Sequence, residues 1–403
     1  MNLNKKINRR KFLGTSAALA CTAMLPPVVT AGEEQESPSK DLQVLKEYHP
    51  LVNSVWINKG QHLKSSDLVS DMLDSTTDFS WLSKGDKVLI KLALNSGNEF
   101  PATSDPWLLK QVVTILKNKG AGEVLVGDQS GIEDVQWGKD SKRGSSRELC
   151  QSAGLLKAIN ENGATPVFFE EAGYDSYIQT SPPGTHHWKF PLWISSIVNQ
   201  VDHIIFMPRV SSHVMGELTS GLKLGVGFLR EDSRRDFHSG GKDFFAMYEE
   251  IAQVPEIISK LRLTITSGRK VFTTIGPNYG DVTEPEYGLV FASEDLLANE
   301  ILSYAWLLWN REFETSSFAK ATKGNISRLG SFINKKFVGK FWPADDTDVP
   351  DFQVFRPGNI YDHPAIINFM KRKGGKPEKI RWNQVNDISD KSIPEYMNQQ
   401  MKT

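Results

Sequence analysis

VDHIIFMPRVSSHVMGELTSGLKLGVGFLREDSRRDFH, residues Val201 to His238, is the stretch whose reading decides the fold. Asp202 to Met207 is apolar in four of six positions and ends at Pro208, the signature of a short buried strand. Arg209, Ser211, Ser212 and His213 follow at once. A run of small residues then carries Lys223, and Arg234, Arg235 and His238 close the stretch. Titratable groups just past the C-terminal end of a buried strand stand where open α/β sheets place their ligands.

The segments before this stretch repeat the same grammar. Leu51 to Lys59 alternates as a first strand, and Ser66 to Asp78 has helical spacing. Lys87 to Leu94 (KVLIKLAL) is a buried strand, Asn95 to Asn98 a polar loop, and Asp105-Pro106 an N-cap with its first helical residue. The helix from Trp107 to Lys119 stops at Gly120, and Glu123 to Gly127 is the next strand. A strand, helix and strand so joined make the parallel crossover of a doubly wound sheet. Arg147 to Asn162 reads as one helix, Ala164 to Phe169 as a strand, and Leu192 to Gln200 as a short helix. The irregular excursion between the last two holds His186-His187.

Later in the chain, Asp243 to Lys260 is helical with Pro255 splitting it. Leu261 to Thr266 and Lys270 to Ile275 read as separate strands, followed by a rigid loop from Gly276 to Asp281. Gly288 to Ala292 is a strand, and Ser293 caps a helix, apolar nearly all round, that runs to Trp309. Beyond Glu314 only Phe337 to Phe341 and Phe352 to Phe355 suggest strands, and Pro364 to Met370 a helix broken at Gly374-Gly375. The expected fold is α/β, a mostly parallel doubly wound sheet over residues 51–315, with a C-terminal subdomain or extension over 316–403.

Composition is that of a soluble globular protein: 39% hydrophobic, 24% charged, net charge −1. Near neutrality argues against a nucleic-acid binder but allows a local basic pocket. Asn8-Arg9-Arg10-Lys11-Phe12-Leu13 resembles the twin-arginine export motif. A small-residue run from Gly14 to Leu25 and Val29-Thr30-Ala31 complete a signal peptide over residues 1–31, followed by a polar leader over 32–50. A basic start to an ordinary first helix is the plainer alternative. The run is too short to span a membrane, so the mature protein is expected in the periplasm or outside the cell, with the twin-arginine translocase as its partner during export. Cleavage would leave Cys150 alone, which excludes an internal disulfide and an iron–sulfur cluster.

Several residues could carry chemistry, each beside a structural alternative. Lys91 and Asn95 at a strand end suit an anionic or carbonyl group, although Lys91 is equally read as an ion-paired rim lysine. Asp128 is a ligand-binding acid or an Asx cap. His213 and Lys223 lie ten residues apart, about 80° on one helix, so a loop between them is easier to reconcile with convergence. Lys223 would neutralise a phosphate or carboxylate, or link covalently if burial depresses its pKa, and His213 would carry protons or bind metal. A surface lysine and a hydrogen-bonded histidine are the alternative. Arg234, Arg235 and His238 read equally as a solvated loop, and His186-His187 as a surface loop. No nucleophile elbow, zinc-protease, Walker A or dinucleotide motif follows a strand.

These positions taken together resemble the domain-of-unknown-function 362 family. The likeness is carried by Lys87 to Lys91 with Asn95, Pro101 to Pro106, Lys119 to Val124 and Val126-Gly127-Asp128. Val201-Asp202, Pro208-Arg209, His213 with Lys223, His238, and Ser293-Glu294-Asp295 with Ala298 continue it, over Lys87 to Trp309. The chain departs from the usual Lys-Pro-Asn at Lys91 to Asn95, has Arg209 for a usual lysine, offers Glu300 for an acid expected nearer Ala298, and lacks the frequent ferredoxin module. His213, Lys223 and His238 are also distantly similar to a histidine–lysine–histidine series in the nickel-pincer lactate racemases. That likeness implies Lys223 as cofactor anchor, His238 as nickel ligand and His213 as acid/base.

The sequence therefore leads to an exported enzyme acting on a small anionic metabolite, by racemisation or redox chemistry of a hydroxy acid. Its catalytic residues would be His213, Lys223 and His238, and Lys91, Asn95, Asp128 and Arg209 would bind substrate. The alternatives are a non-catalytic periplasmic module that binds a small anion or metal, and an interaction protein in which these residues scatter over the surface.

Overall fold

The structure is a computed structural model and describes residues 37–213, 216–238, 243–274, 276–312 and 359–402. The strands that matter here are β1 (Leu51–Asn58), β2 (Lys87–Leu92), β3 (Glu123–Asp128), β4 (Thr165–Phe168) and β5 (His203–Met207). They are followed by β6 (Arg209–His213), β7 (Glu217–Thr219), β8 (Leu261–Phe272), β9 (Tyr287–Ser293) and β10 (Arg381–Gln384). They lie in the order β10-β1-β9-β8-β5-β2-β3-β4, with β6 pairing both β7 and β8. Neighbours pair in parallel everywhere along this order except β1 with β9 and β9 with β8. The fold is α/β with a mostly parallel sheet.

Alternation along the strands assigns a core to each face. Val88, Ile90 and Leu92 of β2 join Val124, Val126, Ile205 and Met207. This set is covered by α1 (Ser66–Thr76), α2 (Pro106–Asn118), α3 (Ser146–Ser152) and α4 (Leu155–Glu161). Leu89, Leu125, Ile204 and Phe206 face the other way. Their cover includes α6 (Phe244–Ala252), α7 (Leu296–Glu312), α8 (Pro364–Lys373) and α9 (Ser392–Gln400), which lie beyond α5 (Glu231–His238) in the chain. Lys91, two residues after Leu89, faces this second core.

The caps of α2 and α8 behave as the sequence indicates, whereas α7 is capped by Asp295 and not by Ser293, which ends β9. Asp105 accepts the N–H of Trp107 at 3.0 Å and Pro106 opens α2. Asp295 accepts the N–H of Ala298 at 2.9 Å to start α7, with Ser293 in turn accepting from Asp295. Gly374, at φ +86, ends α8. Pro255 does split the helix expected over residues 243–260, into α6 and a turn at Pro255–Ile258.

Three expectations need correction. The helix expected over Arg147 to Asn162 is two helices, α3 and α4, because Gly154 takes φ +77 between them. Leu192 to Gln200 is a strand, Leu192–Ser195, followed by a turn of 3₁₀ helix. Trp193 and Ile194 pair there with Gln179 and Ile178, an extended neighbour that local spacing does not reveal. Finally, β8 runs unbroken through Gly268, since β9 pairs with it up to that residue.

Of the leader, the residues after Ser37 are tied to the main body. Ser39 donates to Asp362, Val44–Leu45 pairs with Lys376–Pro377, and the Tyr48 hydroxyl donates to Asp295 at 2.7 Å. From the C-terminal segment, β10 adds an edge strand beside β1. The signal peptide, the boundary near residue 315 and the strands expected at 337–341 and 352–355 lie outside the described residues. No helix among the described residues is long and apolar enough to cross a membrane.

Candidate functional site

Strands β2, β3 and β5 end side by side, and the charged residues gather at those ends. Lys91 and Asp128 are both buried, with Nζ 2.6 Å from Oδ1. Asp128 also accepts the N–H of Leu94 at 3.0 Å and of Gln129 at 2.7 Å, and Lys91 donates to the Leu92 carbonyl at 2.9 Å. Lys91 is thus the ion-paired lysine of the plainer reading, whereas Asp128 makes no Asx cap, since the N–H of Ser130 goes to Ser146. Gly227 closes over it. A Cβ there would stand 2.0 Å from the Asp128 carboxylate and 2.4 Å from Lys91 Nζ, so only glycine fits.

His213 ends β6, and the chain turns back as β7 in an antiparallel pair with it. Lys223 thus arrives on a hairpin and turn, not on a helix shared with His213. It opens the 3₁₀ turn Leu224–Phe228, whose last residue puts its ring 5.4 Å from Lys91 Nζ. Helix α7 supports this segment from below. The buried Glu300 carboxylate accepts the N–H of Leu222 at 3.0 Å and that of Gly221, Ser303 bonds Ser220 at 2.7 Å, and Tyr304 donates to Glu217 at 2.8 Å. Burial raises the Glu300 carboxyl to about 7 in spite of those two N–H donors.

Helix α5 supplies the remaining wall. Arg234 and His238 are one turn apart and share a face, while Arg235 points outward to pair with Glu231. Arg234 donates to the carbonyls of Leu229, Ser130, Gln129 and Gly227. His238 Nδ1 lies 2.7 Å from the Arg234 carbonyl, which accepts only, so Nδ1 bears the proton and Nε2 the lone pair. His213 is the reverse. Its Nδ1 accepts the N–H of Gly216 at 3.2 Å, so Nε2 bears the proton. The two imidazoles hold opposite tautomers.

Arg209 is buried on β6, donating to Ala102 at 2.8 Å and Pro277 at 3.3 Å. The loop carrying Pro277 seats tightly: a Cβ on Gly276 would fall 1.7 Å from the Ser212 carbonyl. Asn95 donates to the same Ala102 carbonyl at 3.1 Å and to Asn278 at 2.9 Å. It therefore braces the Arg209 loop.

Charge is unbalanced here. Among the described residues Arg209, Arg234 and Lys223 make no ion pair; both arginines donate to carbonyls, and the ring of Phe237 lies 5.9 Å from Lys223 Nζ. Burial, then Arg209, Arg234 and Lys91, pull the half-buried Lys223 amine down to about 7. Burial lowers Arg209 to about 9, with Asp128 opposing. His238 is lowered to about 3 by burial and then Lys223, and His213 falls well below its ordinary value by burial, Lys223, His238 and Arg209. Both imidazoles are neutral near pH 7. Burial pushes the Cys150 thiol up to about 12, which removes it as a nucleophile at neutral pH.

Lys91, Asp128, Arg209, His213, Lys223 and His238 are thus linked by contacts or mutual electrostatics, with Asn95 behind Arg209. Arg234 is the buried arginine that the sequence reading left in a solvated cluster. Its four-residue spacing from His238 was the available signal. His187 lies elsewhere, with Nδ1 2.7 Å from Glu250. Among the described residues no group of three or more His, Cys, Asp or Glu is gathered to hold a metal.

Residues 88–304, more than half of the chain, match the family described as Domain of unknown function (DUF362). The chain belongs to that family. Every residue of the cluster lies within the matched span of the DUF362 family. No curated protein matches the chain. Among solved structures, a Thermotoga maritima protein is similar at 14% identity and TM-score 0.40, over 62% of this chain and 59% of that one. The lactate racemase apoprotein of Thermoanaerobacterium thermosaccharolyticum is similar at 14% identity and TM-score 0.37, over 61% of this chain and 54% of that one. The chain thus spans less than two thirds of either.

Proposed function

We propose that this protein is an exported enzyme acting on a small anionic metabolite, with a hydroxy acid as the class of substrate and racemisation or redox chemistry as the reaction. One observation carries the reading: Arg209 and Arg234 are buried and Lys223 half-buried without a carboxylate partner. Burying an uncompensated ion costs several kcal/mol, so a fold that keeps two such arginines beside a half-buried lysine has a use for an anion between them. Opposite tautomers at His213 and His238 offer a donor and an acceptor for moving a substrate proton. Export rests on Asn8 to Leu13 and would proceed through the twin-arginine translocase.

A nickel-pincer group, which the histidine–lysine–histidine series implies, fits the donor set in two respects. Lys223 has no competing partner among the described residues, and His238 holds its Nε2 lone pair outward from the Arg234 carbonyl. Lys223 would anchor it and His238 would ligate it, and the group would supply redox capacity at a hydroxyl-bearing carbon.

The test is calorimetric titration of the protein with lactate, pyruvate and phosphate at low salt, repeated with Arg209→Gln. Saturable binding lost in the variant supports the reading, and absence of binding to any of the three refutes it. His213→Gln then separates enzyme from binding module. An enzyme loses turnover by about 10²–10⁴ with affinity retained, whereas a module shows weakened affinity alone. For export, replacing Arg9-Arg10 by lysines should trap the precursor in the cytoplasm.

A further inference from the structure

We infer that Lys223 forms an imine with the carbonyl carbon of a small 2-oxo acid held by Arg209 and Arg234. This rests on the anion site just proposed and names its substrate class, and it gives Lys223 to the substrate in place of the cofactor-anchoring role that the histidine–lysine–histidine series implies. The argument begins with what Lys223 lacks. Lys91, at the neighbouring strand end, has its carboxylate at 2.6 Å; the Lys223 amine makes no hydrogen bond or ion pair among the described residues, and it lies 5.9 Å from the Phe237 ring centroid. No acid holds this amine as an ammonium, and burial beside the cations Arg209, Arg234 and Lys91 favours its neutral, nucleophilic form against the cation–π contact with Phe237.

The second part of the argument is position. Lys223 opens the turn that contains Gly227 and Phe228; Gly227 abuts Lys91 and Asp128, and its carbonyl accepts from Arg234 at 3.1 Å. The amine is therefore on the same small segment that Arg234 grips. Arg209 uses two of the five guanidinium N–H donors on Ala102 and Pro277. A carboxylate takes the three N–H donors left on Arg209 and the one left on Arg234, and a carbonyl bonded directly to that carboxylate is the electrophile offered to the amine. A 2-oxo acid has both in adjacent atoms.

In the reaction, Lys223 Nζ adds to the carbonyl carbon, forming a C–N bond and turning the carbonyl oxygen into a hydroxyl. The C–O bond then breaks. That oxygen leaves as water with the two protons the amine began with, and a C=N bond remains. His238 Nε2 takes a proton from the nitrogen and returns it to the departing hydroxyl, while His213 Nε2–H hydrogen-bonds the oxygen.

The experiment is reductive trapping. The full chain is incubated with pyruvate and cyanoborohydride, and intact mass and peptide mapping locate any adduct. We expect a gain of one pyruvic acid less one oxygen atom, confined to the Lys223 peptide and lost in Lys223→Met. Mapping of the adduct on the unsubstituted chain settles the site even if that variant fails to fold. Pyruvate binding measured without reductant distinguishes two failures. Binding without an adduct, or an adduct scattered over surface lysines, overturns the imine and leaves the anion site standing. No binding overturns both. A mass already on Lys223 before pyruvate is added also overturns the imine, in favour of a resident cofactor.

Discussion

Gly227→Ala adds one methyl group where the site has no room for it. Its Cβ would lie 2.0 Å from Asp128 Oδ1, 2.4 Å from Lys91 Nζ and 2.8 Å from Lys91 Cε, against a contact distance of about 3.5 Å. Gly227 does not occupy the left-handed region, so alanine meets no backbone penalty and the effect is steric. Neither neighbour yields easily. Lys91 is held by the Leu92 carbonyl as well as Asp128, and Asp128 by two backbone N–H groups. The turn is itself held, by Arg234 on the Gly227 carbonyl. If the turn moves outward, the cost is that of overpacking, about 1–3 kcal/mol. If the ion pair parts, it approaches the ~3–5 kcal/mol of a broken buried pair. Urea unfolding should show a lower midpoint with an unchanged slope, and calorimetry a weakened anion affinity, because the displaced turn carries Lys223. A variant with wild-type midpoint and wild-type anion affinity would refute the packing described for this site.

Asp128→Ala, which leaves Lys91 buried without its partner, should destabilise by about 3–5 kcal/mol in the same unfolding assay. Arg372→Ala should cost a similar ~3–5 kcal/mol, since Arg372 Nε is 3.1 Å from Glu249 and the same guanidinium pairs with Glu250, both buried on α6. Glu249 gives a pH signature: burial, its largest influence, raises its carboxyl to about 8 although Arg372 opposes. The folded state then holds this proton more tightly than the unfolded state. Its contribution to stability is full below the ordinary glutamate range and is lost as pH rises to about 8. Unfolding midpoints measured from pH 5 to 8 should fall less steeply in Glu249→Gln than in the unaltered chain, and an identical pH slope would contradict the assignment.

Strands β2, β3 and β5 were legible because buried parallel strands are short apolar runs bounded by turn residues, and Asp105-Pro106 names its own helix start. What stayed hidden depends on partners distant in sequence. Leu192–Ser195 is extended because it pairs with Tyr177–Thr180 across an irregular loop, and β8 is continuous because β9 bridges Gly268. The site shows the same division. Placing Arg209, His213 and Lys223 after a strand end required only local reading. Whether Lys91 meets Asp128 depends on the register of β2 against β3, where Lys91 stands opposite Gly127. Arg234 was obscured by its neighbours: Glu231, Asp232, Arg235 and Asp236 make the segment look solvated, and only the four-residue face shared with His238 distinguishes the buried side.

The way this chain treats its arginines separates structure from function. Arg269 is held by Asp105 through two hydrogen bonds at 2.8 and 3.0 Å, Arg372 by Glu249 and Glu250, and Arg230 by Asp232. In each the carboxylate cancels the charge, and the guanidinium serves as a rivet between elements. Arg209 and Arg234 are held instead by carbonyl oxygens. A carbonyl dipole orients a guanidinium without neutralising it. Such an arrangement fixes the geometry of the donors while leaving their net charge to act on whatever enters. It is less stable than a paired one, and here it stands at the strand ends, where Asp128 is already committed to Lys91 and two backbone N–H groups. An additional acid there would stabilise the fold and fill the site at the same time. By this reasoning the carboxylate of the proposed substrate would take the place of the acid that the site lacks among the described residues.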